Sequence, residues 1–212
     1  MRLSMIRWWL AVPATVLVAL VATGMPATSF AAMAEPPSSP DPSPQVLPFD
    51  RTHSRVGFHL RTRWGRHLRG EFPVYEGEVR VYPDGRRDVR VRLDSTRMQI
   101  VGHPRYTEWA KGEDFFDVAG FPTIAFASET YDATLLRDGG ALHGTLTMRD
   151  ISRPVRFVLE PATCDQPGLA CDVVARGEVD RTRFGMDDWR VAVGDTVRFE
   201  LRVRTAAPVA TR

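Results

Sequence analysis

Residues Arg55–Trp64 have the sequence RVGFHLRTRW. In it, apolar or weakly polar side chains alternate with residues that are mostly basic. A period of two is the pattern of a β-strand with one buried and one solvated face. Such strands are typical of antiparallel sheets, because the strands of parallel sheets are buried on both faces. The residues predicted to share the buried face are Val56, Phe58, Leu60, Thr62 and Trp64.

The same alternation recurs along the chain and predicts about eight strands in all. Turn signals such as Pro83-Asp84-Gly85 and Pro167-Gly168 separate them. The other predicted strands occupy residues 78–81, 89–94, 123–128, 141–148, 155–160, 172–179 and 197–204.

Residues 104–112, PRYTEWAKG, lack this alternation and contain good helix formers, so they predict one short helical segment. Eight amphipathic strands form either a sandwich or a closed barrel. Closure removes exposed strand edges, and an eight-stranded barrel encloses room for side chains or for one small ligand. The residues alone therefore predict an all-β antiparallel fold and leave both architectures open.

The first 34 residues are predicted to be a secretory signal peptide. Arg2 and Arg7 precede an apolar run, and Ala32-Met33-Ala34 has the A-x-A pattern of a cleavage site. The alternative is an uncleaved membrane anchor, but Pro13 leaves an uninterrupted run shorter than the roughly 20 residues of a span. We therefore expect a periplasmic or secreted protein without a stable membrane span after cleavage.

The segment that follows, residues 35–48, is rich in proline and serine and predicts an extended linker. We place the folded domain at residues 49–206 and a tail at 207–212. The whole chain has 28 basic and 26 acidic residues, and loss of Arg2 and Arg7 with the signal peptide makes the numbers equal. A nucleic-acid partner is not expected, because such binders need a surplus of positive charge on one face.

Cys164 and Cys171 are the two cysteines of the chain. An even pair in an exported protein suggests a disulfide, with two free thiols as the alternative. Their spacing is that of neither a C-x2-C redox site nor a zinc site. We predict a structural bridge that closes a loop between two strands.

The sequence contains none of the common motifs for nucleophilic or nucleotide chemistry. The spacing of His53, His59 and His67 fits neither one strand face nor one helix turn, so they predict surface positions rather than a metal site. Asp114 and Asp117 are typical of turns and helix caps. We predict no catalytic residues, no metal site and no enzyme activity.

Five stretches occur in a fixed order: FDRTHSRVGF at 49–58, GEDFFDVAGFPTIAFAS at 112–128, GTLTMRDISRPV at 144–155, RTRFGM at 181–186 and VGDTVRFELRV at 193–203. Together they resemble the signature segments of the YceI-like family, which include D-x-x-H-S-x-V-x-F and D-F-F-D-V. Two departures stand out. YTEWAKGED at 106–114 replaces the usual histidine-leucine-arginine segment, and Asp150 replaces a glycine.

The resemblance implies an eight-stranded antiparallel lipocalin-like barrel, exported to the periplasm, that holds a long-chain isoprenoid or other lipid in its lumen. It implies no required cofactor, although a bound polyisoprenoid or quinone-type lipid is compatible with it, and it allows a homodimer. Transport, storage and stress protection are the roles that this implies. The side chains expected to line the lumen are Val56, Phe58, Leu60, Trp64, Phe115, Phe116, Phe126, Leu146, Phe157, Phe184 and Phe199.

Two other functions remain open at the level of sequence. One is a tethered envelope module that binds a protein partner through its basic strand face and carries no lipid. The other is a quinone-linked enzyme that uses the same pocket, which ranks lower because no convincing catalytic set is present.

Overall fold

The computed structural model describes residues 43–206, and the predicted signal peptide, the first part of the linker and the tail lie outside this range. Eleven strands form one antiparallel sheet. The strands are β1 (Gln45–Pro48), β2 (Arg55–Thr62), β3 (His67–Glu71), β4 (Tyr75–Val81), β5 (Arg87–Asp94), β6 (Gln99–Ile100), β7 (Thr123–Ser128), β8 (Gly140–Met148), β9 (Ile151–Leu159), β10 (Val173–Asp180) and β11 (Val193–Val203). Their order in the sheet is β1-β4-β5-β7-β8-β9-β10-β11-β2-β3-β6.

The all-β antiparallel class is confirmed, but the strand number is eleven rather than eight. The additional strands β1, β3 and β6 have 4, 5 and 2 residues. Runs this short hold too few alternations to be recognised from sequence. β1 lies in the stretch predicted as linker, and its Pro48 is tolerated because edge strands need no N–H on their free side.

The sheet curls into a half-barrel. At one end of it, the residues that follow β1 form hydrogen bonds with the residues that follow β11. Past β1, Phe49 bridges Thr205. The amide of Asp50 donates to the Arg204 carbonyl and that of Ala206 to the Pro48 carbonyl, both at 2.8 Å. These contacts bring the chain just past β1 onto the chain just past β11. They define one end of the enclosed interior.

The predicted helical segment is the helix α1 (Pro104–Lys111), and a second short helix, α2 (Thr134–Asp138), was not predicted. Proline at the first position of α1 is favourable because the amide there has no partner within the helix. Short 3₁₀ turns follow β5 and β10, at Ser95–Arg97 and Arg181–Phe184. Across residues 43–206, no helix combines the length and the apolar character that a bilayer crossing requires.

The outer face of the sheet carries charges that pair between neighbouring strands. Arg176 on β10 lies opposite Glu200 on β11, with Nε and Oε2 3.1 Å apart, and Glu178 lies opposite Arg198 at 2.6 Å. Directly opposed unlike charges stabilise an antiparallel register. The inner face carries the apolar members of the same alternation, so a register slip of one residue would bury these charges.

The predicted disulfide is confirmed and links Cys164 to Cys171 in the loop between β9 and β10. The Gly168 carbonyl in this loop accepts hydrogen bonds from the amide and the hydroxyl of Thr205, at 2.7 and 3.1 Å. The bridged loop is therefore fastened to the chain that leaves β11.

Candidate ligand-binding cavity

The interior of the sheet is hollow at the end where Phe49 meets Thr205. A cavity of about 470 Å³ lies there. This volume is within the range of pockets that bind small molecules. Most of its wall consists of apolar side chains from the inner face of the strands. Among them are Val56, Val79, Val91, Leu93, Ile124, Phe126, Leu142, Leu146, Phe157, Leu159, Val173, Phe199 and Leu201.

The opposite end of the interior is filled. Phe58, which is 1% exposed, packs against Phe72, Phe116 and Phe199 with ring centroids 5.4, 5.8 and 6.1 Å apart. Met148 and Met186 are also buried at this end. Only a pocket of about 30 Å³ lies among these side chains.

Inward-facing glycines make room for the aromatic rings at both ends. At the filled end, the ring of Phe58 lies against Gly70 on β3, where an added Cβ would overlap it. At the hollow end, the ring of Phe126 lies against Gly144 on β8 in the same way. Both rings therefore occupy space that a side chain at the glycine position would otherwise take.

The aromatic segment GEDFFDV, residues 112–118, closes the filled end. Phe116 is buried, and Phe115 packs under the guanidinium of Arg181 at 5.6 Å. Arg181 is 2% exposed and donates hydrogen bonds to the carbonyls of Gly194 and Met186. Burial lowers the pKa of Arg181, although its three backbone acceptors and nearby Asp195 favour the charged form. This buried cation holds the segment 112–118 in place and borders the small pocket rather than the 470 Å³ cavity.

The structure distributes ten of the eleven residues predicted to line the lumen over three interior environments. Val56, Phe126, Leu146, Phe157 and Phe199 line the large cavity. Phe58, Leu60, Phe115 and Phe116 surround the small pocket, which Phe199 also borders. Phe184 is buried in the 3₁₀ turn after β10 and borders neither.

Trp64 lies outside the interior, 76% exposed. Strand β2 ends at Thr62, and the Gly65 amide donates to the Thr62 carbonyl at 3.0 Å, so Trp64 lies within a turn. The alternation of two applies only within the strand, and extending it by one more step placed Trp64 on the wrong side.

Two loops flank the mouth of the cavity. One is the disulfide-bridged loop, whose residues Asp165–Leu169 reach its wall. The other runs from Tyr131 through α2, of which Leu136 is buried and Arg137 lies on the rim. The Ala162 amide donates to the Arg137 carbonyl at 3.0 Å and so links the two sides.

Sequence reasoning missed the polar part of the wall, which includes Arg87 and Tyr131. Arg87 occupies an inward position of β5, two residues before Val89, so the alternation itself was a signal for it. Tyr131 is 9% exposed, and its burial raises the pKa of the phenol to about 12. The phenol is therefore neutral at physiological pH.

The chemistry of the cavity is that of binding. In the described part of the chain, no three histidine, cysteine or carboxylate side chains come together as metal ligands would. The wall is mainly hydrocarbon; its charged side chains are Arg87 and, at the rim, Arg137 and Asp165, and Tyr131 supplies a phenol. Such a surface favours a ligand with a long apolar portion and a small polar end.

Two solved structures share this fold. The protein BcnA of Burkholderia cenocepacia is similar with a TM-score of 0.60 and 18% identity, over 75% of this chain and 99% of that one. A polyisoprenoid binding domain from Saccharophagus degradans, implicated in plant cell wall breakdown, has a TM-score of 0.58 and 11% identity, over 76% of this chain and 98% of that one. No curated protein sequence matches the chain. The profile of the YceI-like domain matches residues 48–205, which is most of the chain, and the protein therefore belongs to the YceI-like family.

Proposed function

We propose that this protein binds an amphiphilic lipid, with the hydrocarbon chain held in the 470 Å³ cavity. The observation that carries the proposal is the contrast within one interior between a filled end and a hollow, apolar end. A folded chain gains dispersion energy when it fills such a space, so a void of this size is a cost that a ligand would remove.

The energetics of such a site are nondirectional. Transfer of hydrocarbon from water contributes about 0.8 kcal/mol per methylene, so a ten-carbon chain gains roughly 8 kcal/mol before the costs of association. The cavity supplies this surface without any catalytic group. We therefore assign the protein a binding role in carrying, storing or sequestering its ligand.

An isoprenoid is our leading ligand class, with quinone-type lipids included. The similar domain from Saccharophagus degradans is described as polyisoprenoid binding, and membership of the YceI-like family supports the same class. The disulfide supports an oxidising compartment, in agreement with the signal peptide expected at the N-terminus. Periplasmic or secreted localisation is part of this proposal.

The test is to purify the protein from its native host and analyse bound lipid by native mass spectrometry and organic extraction. A co-purifying isoprenoid or other lipid is expected. The variant Ala175→Trp, which places a large ring on the cavity wall, should lose it. Val158→Trp is the matched control, because Val158 lies on β9 and is exposed on the outer face. Equal lipid content in wild type and Ala175→Trp would contradict the proposal.

A second candidate is an interaction module, and one observation favours it. At the filled end, Trp109 and Trp189 stack in the open with ring centroids 6.2 Å apart and planes 11° from parallel. Exposed aromatic pairs are enriched where proteins meet partners. A protein that co-purifies with wild type and is lost from Trp109→Ala, with no lipid in either sample, would favour this function over lipid binding.

A further inference from the structure

The mouth end of β5 places a cation on the inner face of the sheet. Along this strand Val89, Val91 and Leu93 line the cavity, and Arg87 lines it at the preceding inward position. Asp88 points outward. The first inward side chain of β5 is thus charged, where the next three are hydrocarbon.

Arg87 is held in place by its backbone. Its amide donates to the Tyr131 carbonyl at 2.9 Å, and the Tyr131 amide donates to the Arg87 carbonyl at 2.8 Å. This reciprocal pair sets the two residues opposite each other, and both side chains reach the cavity. A neutral phenol and a guanidinium therefore lie together at the polar end of an apolar space.

The charge of Arg87 lacks a counterion within residues 43–206. Its Nε is buried without a hydrogen-bond partner. The neighbouring carboxylate of Asp88 is committed to Arg80 on the outer face, with Nε and Oδ1 2.8 Å apart. At the rim, Arg137 pairs with Asp138, and Asp165 is exposed to solvent, where its charge is screened. A half-buried guanidinium without a partner is unfavourable, and an anionic oxygen is the group that satisfies it best.

We propose that Arg87 binds the anionic head group, phosphate or carboxylate, of an amphiphile whose tail fills the cavity. This rests on the proposed function and specifies its ligand. Arg87 supplies the charge and Tyr131 a neutral hydroxyl beside it. The planar guanidinium matches both anions, since each offers two oxygens side by side.

The filled end limits the length of the tail that the cavity encloses. A volume of about 470 Å³ equals roughly fifteen units of 30 Å³, which is the volume of one water molecule and close to that of one methylene group. A tail that filled the cavity completely would therefore have at most about fifteen carbons. Farnesyl phosphate has a tail of this size and an anionic head, and farnesol is the same chain with a neutral one.

The experiment measures binding of farnesyl phosphate, farnesol and hexadecanoate to the full mature protein by calorimetry. Wild type should bind farnesyl phosphate or hexadecanoate at least about tenfold more tightly than farnesol. The variant Arg87→Met, which keeps an apolar stem, should remove this preference and leave farnesol affinity within about twofold. Arg90→Met, on the exposed face of the same strand, is the matched control. It should change neither the preference for the anion nor the affinity for farnesol.

The choice between phosphate and carboxylate follows from which anion loses affinity in Arg87→Met. Added salt should weaken the binding of the anionic probe but not the binding of farnesol. This second measurement needs only the wild-type protein. Equal binding of anion and alcohol by wild type, or an equal loss of both in Arg87→Met, would overturn the head-group role and leave lipid binding intact. Failure of all three probes, together with the absence of any extractable lipid, would overturn the proposed function itself.

Discussion

The two ends of the interior are built from the same alternation of side chains and differ in what those side chains fill. At one end, Phe58, Phe72 and Phe116 pack ring against ring around a pocket of about 30 Å³. At the other, a wall rich in valine and leucine side chains leaves about 470 Å³. Alternation therefore determines which side chains face inward, and their size and direction determine whether a cavity results.

This contrast predicts that stability is concentrated at the filled end. Side chains there contact neighbours on all sides, whereas those around the cavity have empty space on one side and lose dispersion contacts. Side chains at the filled end should therefore contribute more to the free energy of unfolding than side chains around the cavity. Three changes test this division, in order of decreasing effect.

The largest effect is expected from Phe58→Ala. Removal of a ring that is buried on all sides should lower the free energy of unfolding by about 4 kcal/mol. Phe157→Ala, next to the cavity, should cost about 2 kcal/mol, because one side of that ring already faces the void. Urea denaturation of both variants measures the difference. Equal losses would show that the two ends contribute alike.

Replacement of both Cys164 and Cys171 by serine should have an intermediate effect. The bridge closes a short loop, with a sequence separation of 7, so its loss should cost up to about 2.5 kcal/mol. Because the loop lines the mouth, bound lipid should also leave faster. Thermal unfolding and stopped-flow release measure the two effects. Hydrogen exchange should rise in the loop, and a rise that begins around Phe58 instead would contradict this assignment.

The smallest effect concerns Asp88, beside the mouth on the outer face. Burial would raise its pKa, but hydrogen bonds from Arg80 and Tyr82 outweigh burial and hold the pKa below its ordinary value of about 3.9. The stabilisation is therefore present above about pH 4 and is lost as the pH falls through the folded-state pKa. Asp88→Asn should lower the free energy of unfolding by about 2 kcal/mol at pH 7, and the deficit should shrink as the pH falls below about 4.

The control for this variant is Asp84→Asn in the same hairpin. Asp84 pairs with Arg86 in the open, where an ion pair contributes little, so its loss should change stability much less than the loss of Asp88 does. Chemical denaturation at several pH values compares the three proteins. A constant deficit of Asp88→Asn across the acid range would be inconsistent with a titrating carboxylate.

Much of the fold was accessible from sequence because alternation is a property of single strands. Each of the eight predicted strands corresponds to an observed one, and the disulfide was predicted from the cysteine number and the expected export. The short strands β1, β3 and β6 were missed because pairing, rather than pattern, defines them. Membership of the YceI-like family was recognisable from five ordered motifs before any geometry was known.

The site was less accessible, because it depends on how side chains from distant strands share one space. Nothing in the sequence around Phe58 and Phe157 shows that one ring lies in a filled end and the other beside a cavity. Trp64 was misplaced because the strand end is set by hydrogen bonds between Thr62 and residues beyond it. Arg87 has the parity of Val89, but the predicted strand began at Val89 and therefore did not include it.

The pairing of β2 with β11 has a consequence for how the chain acquires its shape. Ser54 and Arg204 are 150 positions apart, yet the Ser54 hydroxyl donates to the Arg204 carbonyl and accepts from the Arg204 amide, both at 3.0 Å. Contacts this distant in sequence form slowly, since a long loop must close first. A nascent chain cannot complete its sheet until the last strand has left the ribosome.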